Sequence, residues 1–284
     1  MDWIEKLNHS INYIEENLEG KIDFEKAAQI ACCSTFNFQR MFSYIAGVTL
    51  SEYIRRRRMS KAAYELQNYD IRIMDLSIKY GYDSPTSFSR AFQSVHNLSP
   101  STARQKGIIL KTYPKLSFSL SVKGDSEMKY RIEEKPAIRL IGIRKKISAN
   151  MEMNFQTIPE LWGDIKQTSE FQFLCEINNQ LPQGILGVTE YKGAHDLNYY
   201  IAAATDKPVP DEMVEYTVPA ATWAVFETSL DEYSIKELYR RFYTEWLPFS
   251  GYKYSETHDI EVYPLPNGNS QKCEIWFAIK TQGH

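Results

Sequence analysis

Two stretches fifty positions apart repeat the same side chains: Ser34-x-x-x-Phe38-x-Arg40-x-Phe42 and Ser84-x-x-x-Phe88-x-Arg90-x-Phe92. On a helix, rings four residues apart share one face and the arginine turns to the opposite side. The serine stands where its oxygen can accept from the first backbone amides. With Phe38 taken as inward, Met41, Phe42 and Ile45 join it, Phe36, Arg40 and Ser43 point out, and Asn37, Gln39 and Tyr44 lie on the flanks. In the second stretch Phe88, Ala91, Phe92 and Val95 point in. Thr86, Arg90 and Gln93 point out, flanked by Ser87, Ser89 and Ser94. The outward chemistry suits a DNA groove. Arginine can bond guanine bidentately, glutamine or asparagine can do so to adenine, and an apolar ring can meet a thymine methyl. Hydroxyls such as that of Ser84, and helix N-termini, can position phosphates. One such arginine alone is usually just solvated; recurrence of the whole pattern is what favours nucleic acid.

A second chemistry centres on Glu274, a carboxylate inside the otherwise apolar run 273–279. In a strand, Glu274, Trp276 and Ala278 share a face, and a carboxylate buried beside an indole needs a partner. A bound organic cation could be that partner, with aromatic rings adding cation–π attraction of about 1–2 kcal/mol. Tyr191, Tyr200, Trp223, Tyr263 and Trp276 are the candidate walls, and Glu261 and Glu190 are further carboxylates on neighbouring strands. Two plainer readings stay open: Glu274 faces solvent or bonds a lysine, and the rings are ordinary core.

The elements that must position these groups are legible in outline. Apolar residues at spacings of three and four predict a helix over 3–18, ended by Gly20. Asp23 opens a short helix that turns at Cys32-Cys33 into the Ser34-capped one. Ile73, Leu76 and Ile78 form the matching short helix before Gly81 and the Ser84 cap, with Pro85 in the first turn, where its missing N–H costs nothing. Between the copies, residues 50–66 hold no Gly or Pro and predict one helix of roughly 25 Å. That length suits two reading helices about one DNA turn, ~34 Å, apart. Arg55 to Arg58 fan around this helix, facing phosphate, solvent or an acid between the two units.

From Tyr130 the texture changes to short strand-like runs. The stretch 134–142 resembles 217–225, each is followed by a helix containing tryptophan (158–168 with Trp162, 235–247 with Trp246), and each helix by two strands: 184–191 and 197–204, then 259–265 and 272–280. The expected architecture is therefore multidomain. An all-α tandem helix-turn-helix domain occupies 1–111, a linker 112–127, and an α+β domain of duplicated β-α-β-β units 128–284. A seam between duplicated halves is a natural place for a cleft.

Charge divides the same way. The whole chain has a formal net charge of -3, yet residues 26–111 hold 13 Lys/Arg against 5 Asp/Glu. Such a local excess attracts polyanions. No apolar run is long enough for a membrane span and the first residues do not read as a signal peptide, so no membrane partner is expected. Four cysteines in a chain of 284 residues do not make a disulfide framework, which points to a reduced, cytoplasmic setting. The histidines, His9, His96, His195, His258 and His284, lack metal-ligand spacing, and no phosphate loop or nucleophile motif occurs. No cofactor, metal or catalytic residue is expected.

Residues 5–106 resemble the AraC/XylS family of bacterial transcription regulators, in the Rob-like order with the DNA-binding part first. The resemblance rests on Phe38-Gln39-Arg40-Met41-Phe42, Tyr53-Ile54, Arg57-Arg58-Met59, Gly81-Tyr82-Asp83-Ser84, Phe88-Ser89-Arg90-Ala91-Phe92 and Ser99-Pro100. It implies that Phe36, Gln39 and Arg40 in the first unit, and Thr86, Ser87 and Arg90 in the second, match DNA-contacting positions. Phe36 and Pro85-Thr86 depart from the Rob-like pattern, so the target sequence does not carry over. Residues 128–284 resemble the GyrI-like effector-binding domain, through Ile158-Pro159-Glu160-Leu161-Trp162, Tyr199-Tyr200-Ile201, Val218-Pro219-Ala220, Trp246-Leu247-Pro248 and Cys273-Glu274-Ile275-Trp276. There the resemblance implies that Glu274 is an acceptor for lipophilic cations. The two together imply a regulator, an activator by resemblance, that answers to a small lipophilic or cationic effector and meets promoter DNA and RNA polymerase; the oligomeric state is open. A GyrI-like hydrolase fused to a DNA-binding domain, and a constitutive DNA-binding protein whose second domain meets protein partners, are the competing expectations.

Overall fold

Asp23, Ser34, Thr49, Ser84 and Ser99 each stand in extended backbone just before a helix, and each side chain accepts from backbone N–H groups of the first turn. These caps satisfy donors that would otherwise be orphaned. They set the order α1 (Trp3–Glu16), α2 (Phe24–Ile30), α3 (Thr35–Ala46), α4 (Leu50–Asn68), α5 (Ile73–Lys79), α6 (Pro85–His96) and α7 (Pro100–Ala103). The computed structural model describes residues 3–119, 127–148, 151–193, 196–266 and 270–281. The chain forms two compact units, Met1–Ser121 and Val122–His284.

The helical unit has two cores and α4 belongs to both. Its first half packs Leu50, Tyr53 and Ile54 with Leu7, Ile11 and Ile14 of α1 and with Phe38 and Phe42. Its second half packs Met59, Ala62, Ala63 and Leu66 with Leu76, Phe88, Phe92 and Val95. Each buried ring removes apolar surface worth about 1.5–3 kcal/mol. The arginine run is largely structural. Arg55 and Arg56 pair with Glu52, Arg57 holds Glu15 of α1 at 2.7 Å, and Arg58 donates to Leu18 O at 2.9 Å. Glu15 also accepts from Tyr53 Oη at 2.6 Å. Burial would raise its pKa, but the hydrogen bonds from Arg57 and Tyr53 outweigh that and hold it below the usual carboxylate range. The two helix-turn-helix units touch at Gly81, whose φ is +71°; a Cβ there would lie 2.6 Å from Gly20 O. Part of the segment expected as a linker is laid on this unit: Tyr113 N donates to Ser60 Oγ, Leu116 N to Tyr53 Oη and Phe118 N to Asn8 Oδ1. Residues 120–126 of that segment lie outside the described residues, as do His195 and His284.

The second unit runs β1 (Tyr130–Lys135), β2 (Ile138–Ile147), α8 (Met151–Ile165), α9 (Ser169–Ile177), β3 (Ile185–Gly193), β4 (Asp196–Ala204), β5 (Val214–Val218), β6 (Ala221–Ser229), α10 (Glu232–Arg241), β7 (Tyr252–Tyr263) and β8 (Lys272–Thr281). All strand pairs are antiparallel, and the sheet order is β1-β6-β8-β7-β3-β4-β2-β5. The expected β-α-β-β duplication is present, with an extra leading strand in each half. Those leading strands are exchanged: β1 pairs with β6 and β5 with β2. Only Pro136-Ala137 joins β1 to β2, and only Pro219-Ala220 joins β5 to β6. Three peptide links reach at most ~11 Å, whereas six strand spacings in a flat sheet would be roughly 29 Å. The sheet must therefore curl until its edges approach. One face carries Leu140, Leu186, Val188, Tyr200, Ala202, Trp223, Val225, Ile260, Val262, Trp276 and Ala278, all buried. Since these residues come from strands alone, the curl of the sheet itself covers that face. The other face takes the helices, through contacts such as Tyr239–Phe277 and Phe226–Phe242.

Three elements differ from expectation. The second tryptophan-bearing helix, expected over 235–247, is α10 up to Arg241 and then a π-helical turn over Phe242–Trp246. The first helix of the second unit begins at Met151, not 158, because Pro159 sits inside it and does not start it. The helix α9 had no expectation attached; its cap is Thr168, whose oxygen accepts from Phe171 N.

Candidate functional site

The two predicted reading helices are built alike and presented differently. In α6, Thr86, Ser87, Arg90 and Gln93 are exposed, and Ser84 and Ser89 half-buried. Ser84 Oγ accepts from Ser87 N at 3.1 Å, and Ser87 Oγ donates back to Ser84 O at 2.8 Å. These two hydroxyls close the cap, which leaves Thr86, Arg90 and Gln93 as the open polar face. In α3 the predicted outward set is buried: Phe36, Asn37, Gln39 and Ser43 lie below a tenth exposed, and Arg40 is 5% exposed. The expectation of an open face there is corrected. Local bonding takes up part of its polarity: Asn37 Nδ2 donates to Ser34 Oγ at 3.0 Å, and Ser43 Oγ to Gln39 O at 2.7 Å. Arg40 lies 5.9 Å from the Tyr44 ring centre. A helical wheel drawn from Phe38 locates one buried face and cannot reveal a second.

In the sheet unit, alternation holds for Trp276 and Ala278, which share the strand-only face, but Glu274 is not the centre of a cage. Its carboxylate pairs with Arg131 of β1 at 2.8 Å and accepts from Trp276 Nε1 at 2.9 Å. Lys135 already stands 5.7 Å over the Trp276 ring. Glu274 and Trp276 line a cleft of ≈ 360 Å³ with Arg131, Glu133, Lys135, Glu227 and Lys272, so the local charges are matched within the chain. The five aromatic candidates are dispersed. Trp223 packs 6.0 Å from Trp276. Tyr200 stacks on Tyr216 at 4.3 Å and donates to Glu190 at 2.8 Å. Tyr191 donates to Asp259 at 3.2 Å. Tyr263 donates to Glu261 on the opposite face of the sheet.

Glu261 is where aromatic groups and a carboxylate do converge. It stands on β7 opposite Gly187 of β3, at the seam between the two halves. Its Oε2 accepts from Tyr263 Oη at 2.9 Å and Tyr199 Oη at 3.3 Å, and its Oε1 from Tyr239 Oη at 3.1 Å. Trp162 Nε1 donates to Tyr199 Oη at 2.9 Å, and its ring meets Tyr263 edge-on at 4.9 Å. The site thus takes α8 from one half and α10 from the other. A Cβ on Gly187 would lie 2.2 Å from Tyr199 Oη, so only glycine leaves room for the cluster. Tyr199 and Tyr239 are buried, while Glu261, Tyr263 and Trp162 remain half-buried. Burial first, then the neighbouring Glu261, pushes the Tyr263 phenol far up, so it stays a hydroxyl donor. A carboxylate flanked by hydroxyls and partly open rings has the chemistry to accept an organic cation. Of this set Tyr199, Tyr239, Trp162 and Gly187 were not among the predicted site residues. Trp162 and Tyr199 stood in quoted motifs; Tyr239 and Gly187 carried no signal.

Glu190 forms a separate buried group. It accepts from Asn198 at 3.0 Å and Tyr200 at 2.8 Å and pairs with Lys192 at 3.0 Å. Burial would raise its pKa; bonds from Lys192, Tyr200 and Asn198 outweigh that and hold it low. Among the described residues there is no cluster of three or more potential metal ligands, and no helix is long and apolar enough to cross a membrane.

A capped tandem helix-turn-helix unit followed in the chain by a duplicated, curled sheet with a carboxylate–tyrosine cluster at its seam defines a DNA-binding regulator with an attached small-molecule-binding domain. Residues 27–106 match the helix-turn-helix domain family and residues 128–280 the GyrI-like small molecule binding domain family. The chain belongs to the AraC-family regulators that carry a GyrI-like domain. It is 39% identical over 92 residues to the HTH-type transcriptional activator AarP of Providencia stuartii, covering 32% of this chain and 68% of that one. It is 32% identical over 109 residues to the probable transcription factor PqrA of Proteus vulgaris, covering 38% and 89%. Among solved structures, that of SAV2435 bound to tetraphenylphosphonium overlays with a TM-score of 0.48 at 20% identity, covering 54% of this chain and 94% of that one.

Proposed function

We propose that this protein is a ligand-responsive transcription regulator, in which a lipophilic cation held at Glu261 alters how the helix-turn-helix units engage promoter DNA. The observation that carries the reading is the convergence of Tyr199, Tyr239 and Tyr263 on one half-buried carboxylate. Arg90, Thr86 and Gln93 of α6, on an exposed helix face, read the groove. Activation through RNA polymerase is the expected output; the activating sign is supported by AarP, a relative described as a transcriptional activator.

The test is fluorescence anisotropy of the full chain on DNA from upstream of its own gene, with and without an aryl trimethylammonium ion. A shift in affinity on adding the cation is expected. Unchanged DNA affinity under a cation that demonstrably binds would refute the regulatory link, and failure of any lipophilic cation to bind would refute the ligand class.

A further inference from the structure

The turn between α2 and α3 ends its helix with the same bonds as the turn between α5 and α6, but it is one residue shorter and places a cysteine where the other has glycine. In the second copy Gly81 N donates to Ile78 O and Tyr82 N to Ser77 O. In the first, Cys32 N donates to Gln29 O and Cys33 N to Ala28 O, at 3.0 and 3.1 Å. Both are the crossed pair of bonds that ends a helix with a left-handed residue. That residue is Gly81, φ +71°, in one copy and Cys32, φ +58°, in the other. A side chain in this conformation is disfavoured relative to glycine. The position that asks for glycine therefore carries a thiol, directly beside a second thiol.

Both sulfurs lie over the last turn of α2. Cys32 Sγ is 3.9 Å from Ile30 O, and Cys33 Sγ is 3.9 Å from Ala28 O. Cys32 is exposed and Cys33 half-buried against the first core. Adjacent Cα atoms sit 3.8 Å apart across a trans peptide, closer than the ~4.4–6.8 Å that a disulfide prefers. Direct S–S closure is thus strained, whereas a larger atom bridging the two sulfurs fits the pair better. Soft thiolates select soft, thiophilic centres.

We propose that Cys32 and Cys33 form a bidentate thiol site for trivalent arsenic, placed at the turn that sets α3. With phenylarsine oxide as probe, two As–S bonds form and the As=O bond breaks. The oxide oxygen takes both thiol protons and leaves as water, arsenic stays trivalent, and the phenyl carbon is its third ligand. The second bond is intramolecular, so the chelate outlasts single-thiol adducts. Cys33 precedes Ser34, whose side chain accepts from Asn37 N. Drawing the thiols together therefore moves the cap of α3.

Intact mass spectrometry of the full chain with phenylarsine oxide, under a large excess of glutathione, tests this. One retained adduct is expected, mapped to the peptide holding residues 32 and 33 and removed by 2,3-dimercaptopropanol. Cys32→Gly, which suits the backbone there and should melt no lower than the parent, is expected to lose the adduct, as is Cys33→Ser. An adduct that glutathione strips, or one that persists in Cys32→Gly, overturns the site. Hydrogen exchange with the arsenical bound should change over residues 28–37; unchanged exchange there overturns the link to α3.

Discussion

Replacing Glu261 by Gln tests whether the seam cluster uses charge or only shape. Gln keeps the volume, and its amide still faces Tyr199, Tyr239 and Tyr263, whose hydroxyls can turn to accept where they donated. The fold should therefore lose only about 1 kcal/mol, the scale of one hydrogen bond. A cationic centre 5 Å from the carboxylate gains roughly 3 kcal/mol at an effective dielectric of about 20. Because Glu261 is half-buried, solvent screens part of this, and a loss of about 1–3 kcal/mol, or 5- to 150-fold in Kd, is expected on substitution. The assay is calorimetric titration of parent and variant with an aryl trimethylammonium ion and its neutral tert-butyl isostere. The isostere should bind parent and variant alike. Equal losses for both ligands would show that the carboxylate acts through shape alone, and no loss for either would place the ligand elsewhere. Glu274→Gln is the control: its carboxylate is already held by Arg131, so it should not separate the two ligands.

Arg90→Ala, on the exposed face of α6, should weaken specific DNA binding by about 1–3 kcal/mol; unaltered anisotropy on the upstream DNA would remove α6 from the groove. Gly81→Ala should lower the melting temperature, since φ +71° and a Cβ 2.6 Å from Gly20 O allow no side chain; circular dichroism melts check it, and an unchanged melt would mean that the Gly20–Gly81 contact is dispensable. His96 and His258 both have pKa values lowered by burial, so the unfolded chain takes up protons that the folded chain refuses. Stability should then fall as pH drops below about 6.5. His96→Asn should flatten that slope in thermal melts, and an identical slope would exclude His96 as a source.

The helical unit was legible because its signals are local. Ser34 and Ser84 cap, Phe38/Phe42 and Phe88/Phe92 mark the buried faces, and each of these features acts within one or two helical turns. The opposite face of α3 is buried as well, which a helical wheel does not record, and the exposure of Arg40 was misjudged for that reason. In the sheet unit the duplication could be seen, but not which strand lies beside which. Glu274 looked buried because its neighbours in sequence are apolar, yet β1 comes alongside β6 and brings Arg131 to it. Pairing of the leading strands across halves is set by short Pro-Ala links and sheet curl, which no periodicity records.

Duplication alone would give matching chemistry on the two sides of the seam. The register between β3 and β7 instead sets Gly187 directly against Glu261. A side chain on β3 would drive into Tyr199 Oη, and a second carboxylate there would repel the first at close range. Removing one side chain leaves Glu261 as the one carboxylate of this cluster, with Trp162 and Tyr199 reaching it from one half and Tyr239 and Tyr263 from the other. The break in symmetry is thus what turns two copies of one unit into one site. Gly187→Ala should accordingly weaken cation binding as severely as Glu261→Gln while leaving every charge in place.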